Sequence, residues 1–329
     1  MPDLYDVAAI GNAIVDVIAP SSDAFLDQES LAKGGMMLID EARAEQLYGR
    51  MASGIEASGG SAANTMAGVA SFGGRAAYVG KVAEDQLGEV FSHDIASIGV
   101  HFATQPLKSG AATARCLINV TPDGQRTMST FLGASVHLTP DDVDQAIIEG
   151  AKITYLEGYL FDPPEARRAF AKAAGLARAS QRLISLSLSY AFVVERHRDA
   201  LLGFIESEVD LLFANEVEIT SLFQTTDFDQ AVKELRGRVG LAAVTRGASG
   251  SVVVQGDDIH AVGAEPVEKV VDTTGAGDQY AAGFLLGLAN GRALPICARL
   301  GSIAAAEVIS HYGPRPQVPL KDLAAKAGL

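Results

Sequence analysis

Strand-like apolar runs alternate with helix-period stretches along most of the chain, and no other feature of the sequence restricts the fold as much. Strands separated by helices can pair in parallel, and the helices then cover the faces of one sheet. Tyr5–Ile10 reads as a strand, Ala62–Phe72 as a helix ended by Gly73-Gly74, Ala76–Gly80 as a strand, and Asp85–Ile98 as a helix ended by Gly99. The rhythm resumes with strands at Ile153–Leu156, Arg182–Leu188, Val209–Phe213 and Gly240–Thr245, and with helices at Glu165–Ala179 and Arg196–Glu206. The expected class is α/β, with a mostly parallel central sheet flanked by helices.

Two stretches break the rhythm, and both read as antiparallel β. One is Ile14–Ile39 around Pro20-Ser21-Ser22-Asp23; the other is Ala112–Phe131 around Thr121-Pro122-Asp123-Gly124. Pro-Asp-Gly is turn chemistry, because Pro pre-sets one dihedral and Gly permits positive φ. These stretches predict a small β lid built from residues 13–58, with a helical insert, and 109–134, on an α/β core of residues 1–12, 59–108 and 135–329. No tandem repeat or low-complexity linker marks a second independent domain.

With 329 residues, 48% of them hydrophobic, the chain can bury one large core and a small appendage. It has no apolar run long enough to span a bilayer, and its first residues lack the basic start and apolar stretch of a signal peptide, so no membrane partner and a cytoplasmic location are expected. Cys116 and Cys297, the two cysteines, are far apart and form neither a metal motif nor a disulfide framework. The balance of 26 basic against 40 acidic residues, net −14, repels a nucleic-acid backbone. An anionic small molecule needs locally concentrated positive potential instead, from helix N-termini or a bound metal ion.

Several motifs are excluded. Gly80-Lys81 is followed by Val82 where a P-loop needs Ser or Thr, and Arg75 stands where its first glycine belongs. The first strand leads into Gly11-Asn12-Ala13-Ile14-Val15-Asp16, not a dinucleotide-binding glycine turn. There is no G-x-S-x-G elbow, and the six histidines include no H-E-x-x-H pair.

Four constellations at loop and helix starts remain. In Val271-Asp272-Thr273-Thr274-Gly275-Ala276-Gly277-Asp278, a strand over Glu268–Val271 leads through a glycine turn into a helix that carries Asp278 in its first turn and runs to about Asn290, stopped by Gly291. Such a turn makes an anion hole, and Asp278 suits either a catalytic base or a dipole-stabilising acid. Gly59-Gly60-Ser61-Ala62-Ala63-Asn64 allows a ligand to approach the backbone and offers an amide for hydroxyls, or is a Gly-Ser cap with Asn64 packed. Asn12 and Asp16 bracket the end of the first strand, where a carboxylate suits a vicinal diol. Asn215-Glu216-Val217-Glu218 has capping-box spacing, and Glu218 also suits a water-coordinated Mg²⁺. Downstream, Thr245-Arg246-Gly247-Ala248-Ser249-Gly250 is either a tight turn or a border to a nucleotide phosphate.

In this order, GGSAAN, NEVE, TRGASG and DTTGAGD resemble the ribokinase/PfkB sugar and nucleoside kinases over nearly the whole chain. GNAIVD, YLEGYLFDPPE and LSLSYAFV are most similar to the adenosine kinases of that family. The resemblance implies ATP and Mg²⁺ as cofactors, with K⁺ near Asp272 and Thr274 by likeness to ribokinases, and a lid that closes over the acceptor. It implies Asp278 as catalytic base with Gly275, Ala276 and Gly277 as anion hole. Asn12, Asp16, Gly59, Gly60 and Asn64 fall at the acceptor, Asn215 and Glu218 at phosphate and Mg²⁺, and Thr245, Gly247 and Gly250 at the ATP loop.

Five residues bear on the acceptor or depart from the pattern. Met36 stands where animal adenosine kinases carry a glutamine that contacts the base, and Glu157 falls near an acidic sugar contact of ribokinases. Tyr159 and Phe161 suit either purine stacking or packing, while Gln279 replaces the usual small residue after the base. The implied activity is phosphorylation of the 5′-hydroxyl of adenosine. A ribose-like sugar or another nucleoside is the alternative acceptor, and a silent sensor on the same fold is the alternative of another class. The oligomeric state, monomer or homodimer, is left open.

Overall fold

The computed structural model describes residues 4–329, so residues 1–3 of the expected core segment lie outside the described residues. From edge to edge the central sheet runs Asp258–Val262, Ser251–Gln255, Leu241–Thr245, Leu211–Asn215, Leu183–Ser187, Ala151–Glu157, Tyr5–Ile10, Ala76–Val79 and Val100–Phe102. The pairs from Val100–Phe102 to Leu241–Thr245 are parallel, and the last two strands finish the edge in antiparallel fashion. This is the expected α/β class.

Element ends shift for local reasons. Asp85 caps the helix Gln86–Ser97 by accepting from the Gly88 N–H at 2.8 Å, and Ile98 is its last cap. The helix expected from Arg196 begins at Ala191 and runs to Glu208, with His197 non-helical inside it (φ −122°). That kink interrupts the apolar period, so only the second half is visible in the sequence.

Two expectations fail. Glu268–Val271 is not a strand: Val270 is exposed, and the Val271 N–H donates to the Ile309 carbonyl at 2.8 Å, so a loop contact takes the place of a ladder. The two irregular stretches do build one small sheet, ordered Met36–Leu38, Arg126–Phe131, Ala114–Val120, Ile14–Pro20 and Ile55–Gly59, but its pairing is mixed. Ala114–Val120 and Arg126–Phe131 form the expected hairpin. Ile14–Pro20, however, lies parallel to Ala114–Val120, and Met36–Leu38 parallel to Arg126–Phe131. The supposed turn at Ser22-Asp23 starts a helix, Asp23–Gln28, with Ser22 as its cap, which carries the chain away from a hairpin.

Successive residues of the central strands feed apolar clusters on opposite faces, Ala8 and Ile10 on one and Val7 and Ala9 on the other. Helix Ala276–Ala289 is buried from Gln279 to Gly287 against the second cluster, which fixes its N-terminus in space. The strand order reverses at Tyr5–Ile10, between Ala76–Val79 and Ala151–Glu157. A crevice beyond the carboxyl ends of the strands at such a reversal is the usual ligand site of an open sheet.

Candidate active site

A cavity of about 760 Å³ opens at that crevice, between the central sheet and the small one. Asn12, Asp16, Gly60, Asn64, Glu157, Asn215, Glu218, Thr245, Gly275, Ala276, Gly277 and Asp278 line it, residues scattered from the first strand to the penultimate long helix. Gly59, Gly247 and Gly250 do not line it. Gly59 sits behind the lining, where a Cβ would overlap the Asp16 carboxylate, so its small size gives that carboxylate its place. Gly247 and Gly250 belong to a tight turn closed by the Arg246 N–H on the Gly250 carbonyl at 2.7 Å.

The turn before Asp278 follows from backbone conformation. Gly275 caps helix Ala276–Ala289 in the left-handed region (φ +79°), and a Cβ there would lie 2.7 Å from Pro314 Cα, so no other residue fits. Asp272 Oδ1 accepts from the Thr274 N–H at 3.0 Å and the Thr274 hydroxyl at 2.7 Å, which holds the turn from its other end. The first-turn amides face outward from the helix, as at any helix N-terminus.

Besides Asp162, four carboxylates share the cavity. Asp278 Oδ1 accepts from Ser61 Oγ at 2.5 Å; burial pushes its pKa up to about 6, against the hydrogen bonds of Ser61 and Asn64. Asp16 is also pushed to about 6 by burial, opposed by the charges of Arg315 and Arg126, and it accepts no hydrogen bond from the described residues. Glu157 is pushed to about 7 by burial, yet both its oxygens are engaged: by the Asn12 N–H at 3.2 Å, Asn12 Nδ2 at 2.8 Å and the Ala62 N–H at 2.8 Å. Its geometry is that of a brace across the strand reversal. Asn12 Oδ1 is left buried without a partner, an acceptor that a ligand hydroxyl would satisfy. Glu218, at about 7 through burial, closes the capping box with Asn215 in both directions (2.9 Å each way) and still faces the cavity.

These shifts set a pH dependence of stability. Each of the four carboxylates is a weaker acid in the folded protein than in the unfolded chain, so the folded state holds more protons in between. Their stabilisation is complete below the ordinary carboxylate range and is lost as pH rises through about 6 to 7. The melting temperature of the ligand-free protein is therefore expected to rise from pH 8 to pH 5.5. A flat or falling profile would show that the cavity does not hold these groups as described.

Of the aromatic candidates, Tyr159 lines the cavity and stacks on Tyr190, with centroids 6.3 Å apart, whereas Phe161 packs into the core against Phe204. Met36 lines the cavity from the small sheet. Sequence reasoning missed Arg126 and Arg315 altogether and left Gln279 unexplained. Gln279 is fully buried, and its Nε2 donates to the carbonyls of Asn64 at 2.9 Å and Pro314 at 3.0 Å, tying two walls of the site together beside Asp278. Arg126, on the small sheet, ion-pairs with Asp272 Oδ2 at 3.0 Å, an oxygen that also accepts from the Gly313 N–H at 3.1 Å. A monovalent cation beside Asp272 would compete with that guanidinium, so these residues do not fit K⁺.

The chain is a phosphotransferase of the class that uses an alcohol as acceptor, since it belongs to the pfkB family of carbohydrate kinases, whose model matches residues 6–321. The chain is 53% identical to the adenosine kinase from Sinorhizobium meliloti, with a TM-score of 0.91 over 98% of this chain and 99% of that one. A probable sugar kinase from Rhizobium etli is 48% identical, with a TM-score of 0.92 over 99% of both chains. The adenosine kinase of Saccharomyces cerevisiae is 27% identical over 94% of this chain and 96% of its own. Among the described residues no helix is long and apolar enough to cross a membrane.

Proposed function

We propose that the protein transfers the γ-phosphoryl group of ATP to the 5′-hydroxyl of adenosine, giving AMP and ADP. The observation that carries this reading is the meeting, in one cavity, of Asp278 and the Gly275–Gly277 turn with the unpartnered Asp16 carboxylate and the orphaned Asn12 Oδ1. The first pair suits a hydroxyl that attacks phosphorus; the second suits a vicinal diol. A purine is supported by the likeness to the Sinorhizobium meliloti enzyme and by the apolar Met36, Ile118, Met128 and Leu132, which line the same cavity as Tyr159 and Tyr190.

In this reading Asp16, Asn12 and Asn64 hold the ribose, and Asp278 takes the 5′-hydroxyl proton as the oxygen attacks in line. The new O–P bond forms as the bond to the bridging oxygen of ADP breaks, and the Gly275–Gly277 amides stabilise the charge on the transferring group. Glu218 and Asn215 suit the Mg²⁺ that accompanies ATP in such kinases, since this ion needs few protein carboxylates; when bound it neutralises phosphate charge. Thr245 borders the nucleotide. The small sheet, residues 13–58 and 109–134, acts as the lid that keeps water from the reacting oxygen.

The likeness to a probable sugar kinase favours one second reading, a free sugar as acceptor. ADP release with adenosine, inosine, guanosine, ribose and fructose as acceptors separates the two. Adenosine is expected to give the highest kcat/KM, and a ribose or fructose value above it would replace the nucleoside by a sugar.

A further inference from the structure

Arg315 lies between Pro314 and Pro316 in the segment after helix Leu294–Val308, and no role above falls to it. Its guanidinium joins three elements. Nη1 pairs with Asp94 Oδ2 at 2.9 Å on helix Gln86–Ser97, Nη2 donates to Ser58 Oγ at 2.6 Å near the end of strand Ile55–Gly59, and Nε donates to Asn64 Oδ1 at 3.2 Å on helix Ser61–Ser71. Asp94 Oδ2 closes the node by accepting from the Ser58 N–H at 2.8 Å and the Ser58 hydroxyl at 2.5 Å.

Two consequences follow from this geometry. An amide side chain has one accepting and one donating end, so a guanidinium on Oδ1 turns the Asn64 NH₂ the other way, towards Asp278 and the cavity. Fixing Ser58 also fixes the residue before Gly59, the glycine packed against the Asp16 carboxylate where the chain passes from the small sheet to the central one. The segment is itself held in place: neighbouring prolines limit its backbone, and Gln279 binds the Pro314 carbonyl.

We propose that Arg315 is a positioning residue for the acceptor, setting the Asn64 amide and the seat of Gly59 beside Asp16 without reaching the phosphoryl group. It rests on the proposed function only in placing Asn64 and Asp16 at the acceptor. Lysine cannot replace it, because one ammonium group on a flexible stem does not reproduce a planar three-way contact.

Steady-state kinetics of Arg315→Gln, Arg315→Lys, Asn64→Ala and the Arg315→Gln/Asn64→Ala pair test the proposal. Arg315→Gln is expected to raise the acceptor KM about tenfold, as loss of a charged hydrogen bond does, and to move the ATP KM by less than about twofold. Arg315→Lys is expected to recover part of the loss. In the Asn64→Ala background the Arg315 effect is expected to shrink to about threefold or less, because both changes act through the same amide. A purely structural role would lower thermal stability and active fraction and leave the acceptor KM alone. An unchanged acceptor KM, or the full tenfold effect without Asn64, overturns the proposal. Should Arg315→Gln fail to fold, Arg315→Lys and Asp94→Asn must show the same split between the two KM values. The acceptor is whichever compound the wild type phosphorylates best, so failure with adenosine strikes the functional reading and leaves this test intact.

Discussion

Asp278→Asn lowers kcat by about two to four orders of magnitude, the range expected for a positioned general base, with little change in the acceptor KM. The substitution is isosteric and leaves an oxygen to accept from Ser61 Oγ, so the wall of the cavity keeps its shape. What it removes is the basic site, since an amide cannot take the hydroxyl proton. Because burial already disfavours the charge on this carboxylate, the variant is also expected to melt higher than wild type at pH 8. Coupled-assay turnover and a thermal melt together check the point, and a kcat within tenfold of wild type would remove Asp278 from the base role.

Asp16→Ala acts on the other half of the chemistry. A carboxylate that takes two ribose hydroxyls makes two charged hydrogen bonds, so its loss is expected to raise the acceptor KM about a hundredfold. The effect on kcat is expected to be far smaller, because the phosphoryl end of the cavity is untouched. An acceptor lacking the 2′-hydroxyl supplies the control: it should be penalised by wild type and hardly at all by the variant. Equal penalties in both proteins would assign the diol to another residue.

The end of the cavity lined by Gly275–Asp278, Asn215 and Glu218, the proposed phosphoryl side, has local signals that are legible in the sequence. A turn with glycine at Gly275, an acid one residue past Gly277, and Gly291 after the last turn specify a loop and a helix by short-range rules, and the helix spans Ala276–Ala289 with Asn290 as its final cap, although the strand expected before the loop is absent. Asn215 and Glu218 are likewise three residues apart. The proposed acceptor side was less legible, since its parts meet only in three dimensions. Arg315 reaches Ser58 and Asn64 across some three-quarters of the chain, and Glu157, which lines the cavity, turns its carboxylate to Asn12 and Ala62 as a brace. No periodicity reports such pairs. The same limit explains the small sheet: Pro-Asp-Gly announces the hairpin at Gly124, whereas the parallel pairing of Ile14 with Ala114 has no local signal.

The pairing of the two sheets also fixes an order of events during synthesis. Tyr5–Ile10 and Ile14–Pro20 are made almost first, yet each is an interior strand with partners on both sides. Val7 must wait for Ala76 and then for Ile153, and Ile14 for Gly59 and then for Ala114. Until the ribosome has released the chain past Glu157, at least one of these apolar strands presents an open edge. Asn12 and Asp16, proposed to bracket the acceptor, lie on and beside these two strands, so the cavity takes shape only when the nascent chain is about half complete.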